Sequence, residues 1–223
     1  MYEEITNVDW LILTMSLLSY FFIFLAIIKK EGKGQSFFTW IMWLILDIIL
    51  LIPTLSVGGK SSLLLFGSTI GSMTISFFLL KLQKGKIGWI RWFRNYFLDW
   101  LKNYWTWSEW LCLSLIILTS IVWAISTIIA KDSTIVIVCA VVSQVIAGIP
   151  LTIKSWQEPK PEYILGYLFF ILGCILTLVL EGNAFESFSS KDHLFPIALG
   201  IQTIVDTIPL VKKKFKKTND LNF

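Results

Sequence analysis

The sequence predicts an all-α integral membrane protein with seven transmembrane helices in a 3-1-3 arrangement, in which two parallel three-helix units are joined by an inverting linker helix. The first observation is composition: of 223 residues, 56% are hydrophobic and 15% are charged, and the mean hydropathy is +0.73. Such a chain has too few polar groups to cover a soluble domain. The second is that apolar stretches of about 18 or more residues recur, each long enough to cross a hydrocarbon core as a helix. The third is a faint internal repeat that pairs the third stretch with the seventh.

Polar connections separate the apolar stretches and bound the predicted helices in chain order. The first stretch runs into Lys29 and Lys30, the third into Lys81, and the fifth into Lys154. The sixth is followed by the acidic segment EGNAFESFSSKDH, and the seventh runs into a Lys-rich tail. The predicted transmembrane helices cover residues 10–28, 37–55, 62–80, 107–129, 134–153, 163–180 and 194–211.

The distribution of basic residues predicts the orientation of these helices. The first, third and fifth connections and the C-terminal tail hold sixteen of the 19 Lys and Arg residues, whereas the opposite side holds only Lys60, Lys131 and Lys191. Basic loops stay in the cytoplasm. We therefore expect a protein of the bacterial inner (plasma) membrane, with the N-terminus outside and the C-terminus inside.

The third connection is aromatic on one helical face and basic on the other. Its aromatic and apolar residues recur at i, i+3, i+4, i+7 and i+8 from Trp89, while Arg91 and Arg94 lie mostly opposite. This pattern predicts a helix in the cytoplasmic headgroup layer, so residues 84–105 are expected to contact lipid headgroups. Lipid sensing or binding of a partner helix is the alternative to simple anchoring.

The internal repeat aligns LFGSTIGSMTISFFLLKLQK, from Leu65, with LFPIALGIQTIVDTIPLVKK, from Leu194, and matches Gly71 with Gly200. Both segments belong to helices predicted to run from outside to inside. Two parallel units of three helices follow only if an inverting helix joins them, and parallel repeats place a substrate site near the midplane. The predicted organisation is a first unit, an amphipathic helix with the linker span, a second unit and a basic tail, at residues 1–82, 83–132, 133–211 and 212–223.

A carboxylate lies within the second apolar stretch, TWIMWLILDIILL. Asp47 falls near the membrane midplane, where an ionised side chain costs about 2.5–3.5 kcal/mol or more, and Trp40 and Trp43 lie on the same helical stripe. Two indole rings and an acceptor on one face suit a flat or sugar-bearing ligand. The alternatives are an aromatic belt for the indoles and, for the carboxylate, an interhelical hydrogen bond to Gln144 or Ser143.

Four further residues are candidates for the same pathway. Gln144 is polar and mid-span, and Gln202 lies one turn before Asp206 on one face of the seventh helix, so all three are predicted to contact substrate. Asp206 has two alternatives, a pair with a snorkelling lysine such as Lys212 and proton coupling. Pro150 is predicted to kink or break the fifth helix and to act as a hinge.

Seven helices in a three-one-three order, an external N-terminus, Pro150 near the inner end of the fifth span and a Lys-Ser turn after it resemble the PQ-loop/SWEET/PnuC superfamily of small-solute transporters. The spacing W-x-x-W-x-x-x-D of Trp40, Trp43 and Asp47 is similar to the ligand-binding motif of PnuC-type vitamin transporters, which bind nicotinamide riboside. The resemblance implies that these three residues contact substrate. The Pro-Gln dipeptide of the PQ-loop proteins is missing, because Leu151 follows the proline.

The sequence thus predicts a transporter or facilitator for a small polar solute of sugar, nucleoside or vitamin type, working by alternating access. No cofactor, metal or nucleic-acid partner is expected, and homo-oligomerisation is compatible with this class. The alternative is a non-transporting scaffold, assembly factor or receptor-like protein, which a dry interior with Asp47 capped by protein groups alone would favour. An enzymatic function is disfavoured, because the chain has no H-E-x-x-H motif, no G-x-S-x-G motif and only one histidine, His193.

Overall fold

The computed structural model describes residues 7–29, 37–57, 61–84, 107–125, 133–180 and 193–219, and this part of the chain is helical without any strand. Its helices are α1 (Asn7–Lys29), α2 (Phe37–Val57), α3 (Ser61–Lys84), α4 (Trp107–Ile125), α5 (Ser133–Gln157), α6 (Ile164–Leu180) and α7 (Leu194–Asn219). A 3₁₀ turn, Pro161–Tyr163, leads into α6. Each predicted span overlaps one of these helices, so the all-α prediction is confirmed for the described residues.

The composition of the helices and of their surfaces indicates a membrane protein. Among the described residues, the segments long and apolar enough to cross a membrane are Asp9–Lys29, Ser62–Leu82, Pro161–Val179 and Leu194–Phe215. Helices α2, α4 and α5 contain shorter apolar segments of 10–17 residues. Large apolar side chains such as Phe77 and Val179 point outward, whereas many Ser, Thr and Asp side chains are buried. Exposed apolar side chains in this number, together with buried hydroxyl and carboxyl groups, are unusual for a soluble domain and fit hydrocarbon around the bundle.

The order of neighbours is the same in the two halves of the chain. Helix α3 packs on both α1 and α2, and α7 packs on both α5 and α6. Between the halves, α1 packs extensively on α6 and α2 packs on α5, while α4 lies against α5 and α2. The polar residues of α2, α3 and α5 are thereby brought together at the junction of the halves.

Glycines allow the close approach of α1 to its two main neighbours. A Cβ added to Gly67 or Gly71 of α3 would overlap Ser16 or Tyr20 of α1, and one added to Gly166 of α6 would overlap Ile23. Without a hydrophobic driving force between helices in lipid, such small-residue contacts supply much of the association energy through van der Waals packing. The position of Tyr20 is therefore fixed by the glycine that it covers.

Two sequence predictions about helix ends need correction. Helix α5 runs from Ser133 to Gln157 without interruption, so Pro150 does not break it, and its role as a hinge stays a prediction. Helix α7 continues to Asn219, well past the predicted end at residue 211, because lysine is a good helix former and a favourable charge at a helix C-terminus. The predicted interfacial helix lies outside the described residues, apart from Lys84 at the end of α3.

Candidate functional site

The candidate site is built around Asp47, which lies halfway along α2. The surrounding sequence, TWIMWLILDIILL, is a continuous apolar run, and Asp47 lies halfway along the regular helix that it forms. Its side chain is completely buried, with 0% exposure. Asp47 therefore faces the interior of the bundle rather than lipid.

Three hydrogen-bond donors from two other helices converge on this carboxyl group. Ser68 Oγ and Ser72 Oγ of α3, one turn apart, each donate to Asp47 Oδ2 at 3.0 Å. From the other half of the chain, Gln144 Nε2 of α5 donates to Asp47 Oδ1 at 2.6 Å. All four side chains are buried and lie near the middle of their helices. The network therefore joins the two halves at the centre of the bundle, where water competes least for hydrogen bonds.

Helix α1 joins this network through Tyr20. The Tyr20 Oη and Ser68 Oγ atoms are 2.6 Å apart. Since the single Ser68 proton is directed at Asp47, the tyrosine hydroxyl is the donor to Ser68. A chain of hydrogen bonds thus runs from Tyr20 through Ser68 to the carboxyl group, with both hydroxyl groups oriented toward it.

Aromatic rings line the side of the network that faces α1 and α2. The Tyr20 ring meets Trp40 and Phe170 edge to face, with centroids 6.4 Å away in both cases. Trp40 and Trp43 are themselves 6.5 Å apart at an interplanar angle of 52°. The rings form a continuous apolar wall beside a polar centre, which is the composition of a small-molecule site.

Two polar atoms beside Asp47 are buried without a hydrogen-bond partner among the described residues. They are Trp43 Nε1, a donor one turn away on α2, and Gln144 Oε1, an acceptor on the amide that binds the carboxyl group. Buried polar groups are nearly always paired, and the exceptions are often sites where water or a ligand binds. Two residues of the Asp47 cluster therefore retain an unpartnered donor and an unpartnered acceptor.

Gln202 and Asp206 occupy a second polar layer, in the seam between α5 and α7. Gln202 Nε2 approaches the carbonyl oxygen of Val145 at 3.5 Å, and its amide covers Gly148. Asp206 is 4% exposed, and beside it on α5 the Thr152 hydroxyl donates to the carbonyl oxygen of Gly148 at 3.3 Å. Along α5, Gly148 and Thr152 lie one and two turns beyond Gln144, or about 6 and 12 Å toward the Lys-rich end of α7.

The structure thus brings together some of the predicted site residues and separates others. Trp40, Trp43, Asp47 and Gln144 lie in one cluster, and Asp206 lies two turns below it. Of the two hydrogen-bond partners considered for Asp47, Gln144 is the observed one. Ser143 instead pairs with Thr119 of α4, with 2.5 Å between their hydroxyl oxygens.

The partners that sequence reasoning missed are Tyr20, Ser68 and Ser72. A signal for the serines was present, because Ser68, Ser72 and Ser76 recur every four residues and form a polar stripe on an otherwise apolar helix. Tyr20 carried no such signal, since a tyrosine in an apolar span is equally compatible with a lipid-facing or a buried position.

Comparison with known proteins adds no relatives to this description. No protein-family model, no curated protein and no solved structure matches the chain.

Proposed function

We propose that the protein is a membrane transporter or facilitator for a small polar solute, built from two parallel three-helix units that alternate around a site at the Asp47 cluster. The units are α1–α3 and α5–α7, and α4 is the inverting linker. This architecture is that of the PQ-loop/SWEET/PnuC superfamily, which the sequence resembles. The excess of lysine and arginine in alternate connections supports an inner membrane location with the C-terminus in the cytoplasm.

The pattern of helix neighbours supports the division into two units. Exchanging α1 with α5, α2 with α6 and α3 with α7 converts the first unit's packing order into that of the second. The same exchange converts the contact of α1 with α6 into the contact of α2 with α5, and both are present. An axis between parallel repeats has this property, and transporters of this type bind substrate where the repeats meet.

The observation that carries the proposal is the unsatisfied polar pair at the midplane. The indole N–H of Trp43 and the amide oxygen of Gln144 lack partners beside a buried carboxyl group and an aromatic wall. A hydroxylated or amide-bearing ligand with a flat face could accept a hydrogen bond from the Trp43 indole N–H and donate hydrogen bonds to Gln144 Oε1 and to an Asp47 carboxyl oxygen. These features favour a sugar-, nucleoside- or vitamin-like solute.

The hydrogen bond between Asp47 and Gln144 has a natural role in alternating access. This bond joins α2 of one unit to α5 of the other, halfway along both helices. A solute that donates a hydroxyl or N–H to Asp47 Oδ1 and accepts from Gln144 Nε2 would replace this bond between the units without a net loss of hydrogen bonds. Binding would then favour the conformation in which the units rock apart, because the ligand has different contacts in the two states.

The test uses purified protein in detergent and in liposomes, with labelled sugars, nucleosides and vitamins. Stabilisation in a thermal-shift screen identifies the ligand, and uptake into liposomes measures transport. Asp47→Asn keeps the side-chain shape and removes the carboxyl group, and Trp43→Phe keeps an aromatic ring and removes the indole N–H. Each is expected to weaken binding about tenfold or more. Ser143→Ala is the matched control, because it removes a buried bond between α4 and α5 and leaves Asp47 untouched. Full uptake by both site variants would contradict the proposal.

A second candidate function is a non-transporting membrane scaffold or receptor-like subunit. The observation that favours it is that Asp47 receives donors from three protein side chains, as an interhelical clasp would. In that case Asp47→Asn lowers the thermal stability of the bundle, and no member of the solute panel stabilises the wild-type protein. Ligand stabilisation that disappears in Asp47→Asn contradicts the scaffold.

A further inference from the structure

We propose that Asp206 and Gln202 form a second binding site, for a monovalent cation (a proton or an alkali ion), separate from the Asp47 cluster. The site lies in the seam between α5 and α7, in the half of the bundle that ends in the lysine-rich part of α7. Cation binding here does not depend on the proposed transport activity. Only the coupling of cation movement to solute transport would rest on that proposal.

The first support is the environment of the Asp206 carboxyl group. The side chain is 4% exposed, and its Oδ1 atom is buried without a hydrogen-bond partner. Asp47, by comparison, receives donors at both oxygens. Asp206 is therefore a buried acid with an open acceptor position.

Gln202 supplies a second open acceptor one turn away. Its Oε1 atom is also buried without a partner, while its Nε2 atom faces the Val145 carbonyl oxygen. The amide lies directly over Gly148, where any side chain would collide with it. Residues four apart on a helix lie on one face, about 6 Å between Cβ atoms. Two unpartnered oxygens thus face α5 in adjacent turns.

The basic residues that the sequence offered as partners for Asp206 are engaged elsewhere. Lys212 Nζ lies 5.8 Å from the centre of the Trp156 ring, and Lys213 Nζ donates to the Pro159 carbonyl oxygen at 2.9 Å. No basic group contacts Asp206 among the described side chains. The prediction of a snorkelling lysine pair is therefore wrong for Lys212.

The other groups that face Asp206 are hydroxyl groups without positive charge. From α6, Tyr167 lies close enough to interact with the carboxyl group, and its ring stacks on Tyr163 of the 3₁₀ turn with centroids 6.4 Å apart. From α5, Thr152 lies one turn beyond the Gly148 that Gln202 covers, and its hydroxyl donates to the Gly148 carbonyl oxygen at 3.3 Å. The seam therefore presents oxygen atoms and one acid, without a described countercharge.

This chemistry selects a cation. An uncompensated negative charge in the membrane interior is costly, and binding a positive charge removes that cost. Oxygen atoms of carboxylate, amide and hydroxyl groups are ligands for hard cations, and a carboxylate is equally a proton acceptor. Because Thr152 lies two helical turns along α5 from Gln144, the partner of Asp47, a cation in this seam could reach the cytoplasmic side without displacing solute at the midplane.

The experiment measures the thermal stability of the purified protein in detergent at constant ionic strength. One arm replaces choline chloride by lithium, sodium or potassium chloride at fixed pH, and the other varies pH in choline chloride. If an alkali ion binds, the wild-type Tm rises by roughly 5 °C at about one hundred times Kd, and if a proton binds, the Tm difference between wild type and Asp206→Asn changes with pH. Asp206→Asn is expected to abolish whichever response appears, and Gln202→Leu is expected to weaken it about tenfold.

Asp47→Asn separates this site from the solute site. It is expected to keep the cation or pH response while losing solute binding, so the two proposals can fail independently. Equal cation and pH responses of wild type and Asp206→Asn would overturn the second site. So would a response that Asp47→Asn removes and Asp206→Asn retains, or one that Gln202→Leu leaves unchanged.

Discussion

The hydrogen bond between Asp47 and Gln144 can be tested directly by a double-mutant cycle. The perturbation is the pair Asp47→Leu and Gln144→Leu, made singly and together. Leucine retains most of the side-chain volume and removes all polar atoms. Each single variant leaves buried partners unsatisfied, whereas the double variant removes both ends of the bond at once.

The expected coupling free energy follows from the geometry of this bond. Hydrogen bonds between helices in membranes contribute about 0.6 kcal/mol on average and at most about 1.7 kcal/mol. The Gln144–Asp47 bond is short, at 2.6 Å, involves a carboxyl group and is fully buried at both ends. We therefore expect a coupling of about 1.5 kcal/mol, near the upper end of that range.

The assay is reversible unfolding in mixed micelles of increasing SDS content, followed by the fluorescence of the 11 tryptophans. A control cycle on Thr119 and Ser143, whose hydroxyl oxygens are 2.5 Å apart between α4 and α5, is expected to give about 0.6 kcal/mol, because both groups are neutral. Additivity of the Asp47 and Gln144 variants within about 0.3–0.5 kcal/mol would refute the proposed contact between the two units.

Two further predictions concern helix packing and the contact between Lys212 and Trp156. Gly71→Ala places a Cβ in the Tyr20 ring and is expected to destabilise the protein by about 1–3 kcal/mol in the same unfolding assay. Gly200→Ala, at the matching position of the repeat, places its Cβ 3.3 Å from Cys174 Cβ and is expected to cost less than half as much. Equal costs would show that the Tyr20 ring moves aside freely. Trp156→Leu removes the ring under the Lys212 ammonium group and is expected to cost about 0.5–1 kcal/mol at low salt, with no further effect of Lys212→Met in that background. An additive effect of the lysine variant would place the ammonium group away from the ring.

The helices could be predicted from the sequence with good accuracy. Helices α2, α4 and α7 begin at Phe37, Trp107 and Leu194, and α6 ends at Leu180, all as predicted. Apart from the end of α7, the other ends differ from prediction by a few residues. This success has a simple cause, since a chain in hydrocarbon must satisfy its backbone hydrogen bonds locally and needs about 20 apolar residues to cross. The end of α7 was missed because the first lysine of the C-terminal tail, Lys212, was taken to end the helix, whereas the helix continues through the lysines.

The site was predicted only in part. Asp47 was found because an acid at mid-membrane depth is rare, and Gln144 was found because its amide is one of few mid-span partners. Ser68 and Tyr20 were missed because burying a hydroxyl group costs little free energy when it bonds to its own helix or to a neighbour. A hydroxyl residue in an apolar helix is therefore a weaker signal of a site than a carboxylate, even where serines form a stripe. For Asp206, the sequence offered a nearby lysine, but the lysine side chains reach other partners at the interface.

The sequence by itself determined that the chain forms long apolar helices and that few polar groups lie deep within them. Those properties depend on composition and on distance along one helix. Only the tertiary structure decided that Asp47 meets α3 and α5, that Ser143 turns to α4, and that Asp206 keeps an open oxygen. The physical reason is that a hydrogen bond between helices requires a rotation and a height accurate to about one residue, and these are set by which small residues let two helices approach.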